Sequence, residues 1–262
     1  MSNTYLILCL AAAAAGAVNA IAGGGTLLTF PALFAALGSS TESAVVANAT
    51  STVALVPGAL AALVGYRREI RQERFWTGML FLPSLIGGII GSLAVVMRPS
   101  SWFSAAVPWL ILTAALLFAL QPHIARWTGL GQPSVGGHSG AFIAGIIGFQ
   151  FLVAIYGGYF GAGIGILMLS ALALMGLDDI HRMNAVKSAL NAVINGTSVV
   201  VFVASHNVHW PYALAMAVAA SAGGFAGAHA ARRIERSVVR ALVVAIGFGL
   251  AAYYFYRQFW AQ

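Results

Sequence analysis

Long apolar runs separated by short polar loops make up most of this chain. Long stretches that contain no Asp, Glu, Lys or Arg include 1–41, 43–66, 75–97, 99–125, 127–177 and 188–231. A transmembrane helix needs about 20 consecutive apolar residues, so these runs have room for about eight to ten segments. The runs are continuous rather than alternating with a period of two, which argues against a transmembrane β-barrel. The pattern therefore predicts an all-α integral membrane protein.

The apolar segments form two sets of five. In the first half they are 4–22, 26–37, 44–65, 76–97 and 102–120. In the second half they are 139–160, 164–176, 184–204, 210–230 and 238–256. The second member of each set is only about 18–20 Å long as a helix, whereas a hydrocarbon core is about 30 Å thick. We therefore expect each short helix to form a broken or re-entrant hairpin with the segment before it.

The two halves are related by an internal duplication. Three glycines recur after 138 residues, with Gly23, Gly25 and Gly38 matching Gly161, Gly163 and Gly176. A second set recurs after 136 residues, with Asn48, Gly87, Gly88 and Gly91 matching Asn184, Gly223, Gly224 and Gly227. Duplication with broken helices in matching places is a strong sequence indication of a secondary transporter. The Pro- and Gly-rich linker 121–138 then joins a first membrane repeat (1–120) to a second (139–262) within one transport domain.

Charge bias predicts the orientation of the two repeats. Only 7% of the residues are charged, against about 25% in a soluble domain. The loop 66–75 carries four arginines, whereas its second-half counterpart 205–210 carries no Lys or Arg. The loop 231–237 carries three arginines, and its first-half counterpart has only Arg98. Because cytoplasmic loops are enriched in Lys and Arg, we predict an inverted repeat with both termini outside and with the arginine-rich loops and the linker in the cytoplasm. The net charge of +7 reflects this topology and does not indicate a nucleic-acid partner.

The glycine-rich breaks are candidate anion sites. Gly24, Gly25 and Thr26 precede or begin the first short helix, and Gly161 and Gly163 precede the second. Irregular backbone at membrane depth is tolerated where it is buried in protein or lines a cavity. Free N–H groups and the positive dipole end of a helix favour a bound anion there. The structural alternative is that these glycines only allow close helix packing.

Polar residues flank both breaks and complete the predicted substrate site. The candidate amide and hydroxyl groups belong to Asn19, Asn48, Thr50, Thr52, Ser188, Asn191 and Asn195. The second-half members follow helical spacing, so they share one helix face, which should point inward in an apolar protein. Lys187, the only lysine, would supply positive charge at the cytoplasmic side of the cavity. The alternatives are interhelical hydrogen bonding for the stripe and snorkelling to lipid headgroups for Lys187.

The acidic residues all fall in predicted loops or at predicted helix ends, at Glu42, Glu69, Glu73, Asp178, Asp179 and Glu235. A cation pump or metal transporter would carry acidic groups within its spans, so the sequence favours a different cargo. His206 and His209 have metal-like spacing but lack a third ligand, and we predict no metal and no cofactor. The expected partners are a small anion and the lipid bilayer, while the oligomeric state is not indicated.

A motif from another class of membrane protein is also present. Gly137-His-Ser139-Gly140 matches the G-x-S-G pattern of rhomboid-type intramembrane proteases, and Gly223-x-x-x-Gly227-Ala-His229 faintly resembles the helix that carries their catalytic histidine. A Ser–His pair can carry acyl chemistry if an oxyanion hole accompanies it. However, Ser139 lies where a serine caps a helix, and a single catalytic pair leaves the duplication unexplained. We therefore predict a protein that is not an enzyme and keep the protease as an alternative.

Four stretches carry a recognisable family pattern: Asn19-Ala-Ile-Ala-Gly-Gly-Gly-Thr-Leu-Leu-Thr-Phe-Pro-Ala-Leu, Ala47-Asn-Ala-Thr-Ser-Thr, Gly158-Tyr-Phe-Gly-Ala-Gly-Ile-Gly and Asn184-Ala-Val-Lys-Ser. In these stretches the chain resembles the TauE/SafE family of membrane anion permeases, also called the sulfite exporter or TSUP family. The resemblance implies a bacterial inner-membrane permease for small sulfur-containing anions such as sulfite, sulfoacetate and other organosulfonates, commonly in the export direction. We expect a secondary transporter that works by alternating access, with a carrier or channel for another small anion as the alternative.

Overall fold

The chain is a bundle of helices in the computed structural model, which describes residues 2–21, 24–127, 140–175, 177, 179–230 and 236–260. Within these ranges there are eleven α-helices and no strand: α1 Ser2–Ile21, α2 Thr26–Ala36, α3 Thr41–Gly65, α4 Arg67–Gln72, α5 Arg74–Met97, α6 Ser100–Trp127, α7 Gly140–Tyr159, α8 Ile164–Leu174, α9 Ile180–Ala204, α10 Trp210–Ala230 and α11 Arg236–Phe259. Each of the ten predicted segments corresponds to a helix. Six helices of the described residues are long and apolar enough to cross a membrane. The prediction of an all-α, multi-pass membrane protein is confirmed.

The short helix predicted in each half is present. The bounds of α1 and α2, shifted by 138 residues, coincide with those of α7 and α8. α2 and α8 each contain 11 residues, which is about 16 Å of helix at 1.5 Å per residue. Neither can cross a hydrocarbon core of about 30 Å by itself, so each must end inside the protein.

Two features go beyond the predicted segments. The arginine-rich loop contains a short helix, α4, which packs against α9. Beside it, the Glu73 carboxylate pairs with the Arg182 guanidinium of α9 at 3.2 Å. The helix α6 continues past residue 120 to Trp127 with Pro122 inside it, so the beginning of the predicted linker is helical. Apolar periodicity did not indicate either feature, because both lie in polar sequence.

The two halves interlock by exchanging one helix each. α5 of the first half packs against α7 and α9 of the second, while α10 of the second half packs against α1 and α3 of the first. α3 also packs against α9, and α6 against α11. These pairings map onto one another when the two halves are exchanged. The duplication seen in the sequence therefore extends to the tertiary packing.

Glycines allow the exchanged helices to approach closely. A methyl group added at Gly91 of α5 would collide with the carbonyl oxygen of Ile155 in α7. A methyl group at Gly223 of α10 would likewise collide with the carbonyl oxygen of Ala13 in α1. Small residues at helix interfaces permit such backbone contact in membrane bundles. The backbone contacts at both positions thus assign these glycines to close helix packing.

The contacts along these interfaces also give the helix directions. In the α1–α10 pair, the ring of Tyr5 meets that of Tyr212, and further along Ala13 meets Gly223. The residue numbers of the contacting pairs increase together along both helices, so α1 and α10 run parallel. In the α5–α7 pair, Gly87 meets Ala154 and Gly91 meets Tyr159, so this pair is parallel as well.

The first prediction concerns the α5–α7 contact. Gly91→Ala should lower the free energy of unfolding by about 1–3 kcal/mol, because the added methyl group overpacks a backbone contact. Gly78 lies on the same helix with open space around its Cα, and Gly78→Ala should be neutral or stabilising by up to about 1 kcal/mol. Thermal unfolding of the purified variants in detergent measures both. Equal melting temperatures for the two variants would contradict the close contact.

Candidate functional site

The first break, between α1 and α2, is closed by a side chain of α1. Asn19 Oδ1 accepts a hydrogen bond from the Gly25 N–H at 2.7 Å. Gly24 has φ +96°, a left-handed conformation that favours glycine. Its carbonyl oxygen accepts from the Leu27 N–H at 3.1 Å. Asn19 thus lies beside Gly24 and Gly25, but the Gly25 N–H, which was expected to face the substrate, is already bound by Asn19. Gly23 lies outside the described residues.

The second break, between α7 and α8, has a different arrangement. Gly161 and Gly163 both have φ +82°, and Gly163 is the residue that precedes the first turn of α8. The Tyr156 hydroxyl donates to the Ala162 carbonyl oxygen at 2.9 Å. It therefore satisfies a backbone carbonyl oxygen of the turn and no backbone N–H group. Among the described residues, the N–H groups of Gly163 and Ile164 donate to no partner. This helix terminus therefore keeps the free donors that an anion needs.

The helix α6 brings the two breaks together. A methyl group added at Gly24 would overlap the ring of Phe118, and one added at Gly163 would lie 3.4 Å from Leu117 Cδ1. Leu117 and Phe118 are neighbours on one turn of α6. In addition, Asn48 Nδ2 of α3 donates to the carbonyl oxygen of Tyr159, the last residue of α7, at 3.0 Å. Both breaks therefore lie against the same turn of α6.

Lys187 lies beside the first turn of α8. A methyl group added at Gly165 would lie 3.3 Å from Lys187 Cδ, so the aliphatic part of the lysine packs on this turn. Its ammonium group donates to Asn184 Oδ1 at 2.8 Å. The lysine side chain is half-buried. A fixed positive charge is therefore placed next to a helix terminus that has free N–H groups, and both favour negative charge.

The polar stripe of α3 serves several purposes. The Asn48 side chain is 1% exposed, and it links α3 to the second break. Thr50 Oγ1 accepts from the His209 N–H at 3.0 Å and so caps the start of α10. Thr52 Oγ1 donates to the Asn48 carbonyl oxygen within α3 at 2.9 Å. The observed hydrogen bonds of the two threonines are thus structural ones, and their predicted contact with substrate stays a prediction.

The polar stripe of α9 is less engaged. Ser188, Asn191 and Asn195 are half-buried, on a helix that packs against α3, α5, α7 and α8. In the described part of the chain these three side chains make no hydrogen bond. Thr26, at the start of α2, is likewise half-buried. An amide face without partners inside an apolar bundle can bind a polar ligand.

Sequence reasoning missed two buried hydrogen-bonded pairs. The Thr29 and Ser51 hydroxyls bond to each other between α2 and α3, and both side chains are fully buried. Gln150 Nε2 of α7 donates to Ser84 Oγ of α5 at 2.8 Å. A lone glutamine in an apolar 20-residue helix was a signal for such a pair, since an unpaired amide in the membrane interior is unfavourable.

An open cavity of about 280 Å³ lies away from the breaks, between the end of α2, the start of α6 and the end of α11. Arg257 lines it, and its Nη2 donates to the Ser39 carbonyl oxygen at 3.4 Å. Hydroxyl-bearing side chains make up much of the remaining wall: Ser39, Thr41, Ser101, Ser104 and Tyr254. The cavity and the breaks are thus separate features.

The structure does not describe the two candidate catalytic side chains of the protease alternative. Ser139 lies outside the described ranges, as does the side chain of His229. Within the described residues no cluster of three His, Cys, Asp or Glu side chains could hold a metal ion.

The second prediction separates structure from substrate contact at Thr50. Thr50→Val keeps the shape and removes the hydroxyl that caps α10, so it should cost about 1 kcal/mol of stability. The matched control is Thr52→Val, whose hydroxyl bonds only within its own helix, and its melting temperature should change less. A melting temperature of Thr50→Val equal to that of Thr52→Val would contradict the capping role.

Comparison with known proteins places this architecture among membrane transporters. The family model "Sulfite exporter TauE/SafE" matches residues 8–254. A "Probable membrane transporter protein" of Haemophilus influenzae is 26% identical over 246 residues, which is 93% of this chain and 91% of the relative. The "Probable membrane transporter protein YfcA" of Escherichia coli K12 is 28% identical over 94% of this chain and 87% of the relative. A third relative, ORF9 of Sinorhizobium sp, is 26% identical over 93% of this chain and 89% of its own length. No solved structure matches the chain.

Proposed function

The chain belongs to the sulfite exporter TauE/SafE family, and we propose that it carries small sulfur-containing oxyanions such as sulfite or organosulfonates across the bacterial inner membrane. The names of its matched relatives, each a "Probable membrane transporter protein", support transport as the function. In this proposal it acts by alternating access and is not an enzyme. The observation that carries the proposal is the placement of Lys187 against the first turn of α8, where the N–H groups of Gly163 and Ile164 are free.

This arrangement suits an oxyanion for electrostatic reasons. The positive end of a helix and an ammonium group both attract negative charge, and charge-assisted hydrogen bonds are about twice as strong as neutral ones. The unpartnered Ser188, Asn191 and Asn195 side chains of α9 add donors that can follow the anion along the helix. Acidic groups, which would repel it, are absent from the predicted spans.

The packing supports an inverted repeat, which is the usual basis of alternating access. α5 starts at the arginine-rich loop, and α10 starts at the loop without Lys or Arg, so the positive-inside bias places their starts on opposite sides. α7 runs parallel to α5, and α1 runs parallel to α10. The corresponding helices α1 and α7 then cross in opposite directions, with both termini outside.

The same topology puts the Arg257 cavity on the outer side. A line of aromatic contacts leads from this cavity toward the second break, from Tyr254 to Phe34, then to Phe30 and Phe160. Phe30, Phe34 and Phe160 are buried. In the proposed cycle, this stack closes the outer route and separates to release the anion.

The third prediction concerns Lys187. In proteoliposomes, Lys187→Ala should reduce saturable sulfite flux roughly 10- to 100-fold, because the variant loses one hydrogen bond between a charged group and the anion. Lys187→Arg should retain part of the flux, because it keeps the charge. Arg71→Ala, a change of an exposed arginine on α4, is the control and should leave the flux unchanged. Sulfite flux that is unaltered in Lys187→Ala would move the site elsewhere, and flux that does not saturate would indicate a channel.

The fourth prediction concerns the orientation of the repeats. Cys9 is the only cysteine, so a Cys9→Ser background allows single-cysteine labelling. Arg71→Cys and Asn207→Cys place a thiol in equivalent loops of the two halves. A membrane-impermeant maleimide should label Asn207→Cys in intact spheroplasts and Arg71→Cys only after lysis. Labelling of both from the same side would exclude the inverted repeat.

A further inference from the structure

The amide of Asn48 is only half satisfied. Its Nδ2 donates to the Tyr159 carbonyl oxygen, which fixes the orientation of the amide, because a carbonyl oxygen cannot donate in return. Its Oδ1 is buried and has no hydrogen-bond partner. The side chain is 1% exposed and lies at the end of α7, directly before the second break. An acceptor without a partner is therefore held at the break where the anion is proposed to bind.

The duplication provides an internal comparison. Asn184 is the counterpart of Asn48, 136 residues later, and its Oδ1 accepts from the Lys187 ammonium group at 2.8 Å. The counterpart of Lys187 at the same offset is Ser51, whose hydroxyl is hydrogen-bonded to Thr29. The second half thus satisfies its asparagine from within the chain, and the first half does not. What is missing at Asn48 Oδ1 is a donor.

A buried acceptor without a donor costs about 1–3 kcal/mol, and it also repels a fully deprotonated oxyanion placed beside it. A ligand that carries both negative charge and one O–H group removes both penalties: its charged oxygens face Lys187 and the α8 terminus, and its O–H faces Asn48. We infer that Asn48 Oδ1 accepts a hydrogen bond from a substrate O–H, so that the transported species is a protonated monoanion of the hydrogensulfite class. This inference rests on the proposed function.

The inference distinguishes two anions of equal charge. Methanesulfinate (CH3SO2⁻) has the same two-oxygen face as hydrogensulfite in its O–H form (HOSO2⁻), but a methyl group replaces the hydroxyl. A site built to bond a substrate hydroxyl discriminates strongly against the analogue that lacks it, because the polar group of the site is left unpaired. We therefore expect the wild-type protein to transport hydrogensulfite at least about tenfold more efficiently than methanesulfinate, as one lost hydrogen bond implies.

The experiment measures initial flux of both anions in proteoliposomes, at a mildly acidic pH at which hydrogensulfite predominates over sulfite. Asn48→Leu is similar in volume and has no acceptor. It should lower hydrogensulfite flux more than methanesulfinate flux, so that the ratio falls toward one. Asn191→Leu is the matched control, since it removes an amide from the polar stripe of α9 and should affect both anions to the same extent.

Several outcomes would overturn the inference. Equal flux of the two anions in the wild-type protein, lost in Lys187→Ala, would overturn it while leaving the proposed function intact, and this comparison needs no Asn48 variant. An unchanged ratio in folded Asn48→Leu would do the same. Flux that requires sodium in the wild-type protein and no longer responds to sodium in Asn48→Leu would show that a cation binds at Asn48 Oδ1 instead. Absence of flux for both anions would overturn this inference and the proposed function together.

Discussion

Hydrocarbon provides no hydrogen-bond partners, so wherever a helix is interrupted at membrane depth, the protein or a ligand must satisfy the exposed backbone groups. The two breaks of this chain meet that constraint differently. At the first, Asn19 accepts the Gly25 N–H. At the second, the Tyr156 hydroxyl donates to a carbonyl oxygen, and N–H groups at the start of α8 are left free. In the proposed function, this asymmetry gives the second break one more free N–H donor for an anion than the first.

The rest of the bundle holds these breaks in place. α6 touches both, and α3 reaches the second through Asn48. The exchanged helices α5 and α10 pack on the opposite half through glycines, so neither half can move as a unit without changing contacts made by the other. Backbone contact of this kind is stiff, because interiors are close-packed. Motion between the halves must therefore be a small number of discrete rearrangements, which suits a carrier that alternates between two states.

The two halves have diverged at the positions where chemistry is expected. Asn48 and Asn184 are equivalent, yet Lys187 stands where the first half has Ser51. The serine pairs with Thr29 and tightens the contact between α2 and α3, whereas the lysine brings a charge to the first turn of α8. A duplicated fold thus needs only one substitution per site to separate a structural role from an electrostatic one.

The sequence by itself determined the elements of this fold. The length of the apolar segments predicted ten helices, because a helix that lies in lipid needs a long run of apolar residues. The constant spacing between matching glycines predicted the repeat and both short helices. It also identified Lys187 and the asparagines as the polar groups worth testing. It could not assign their partners. Residues more than one helix away decide that Thr50 caps α10, that α4 forms beside α9 and that Asn48 Oδ1 lacks a donor. Hydrogen-bond pairing depends on distances of about 3 Å between atoms, and only the tertiary structure sets those distances.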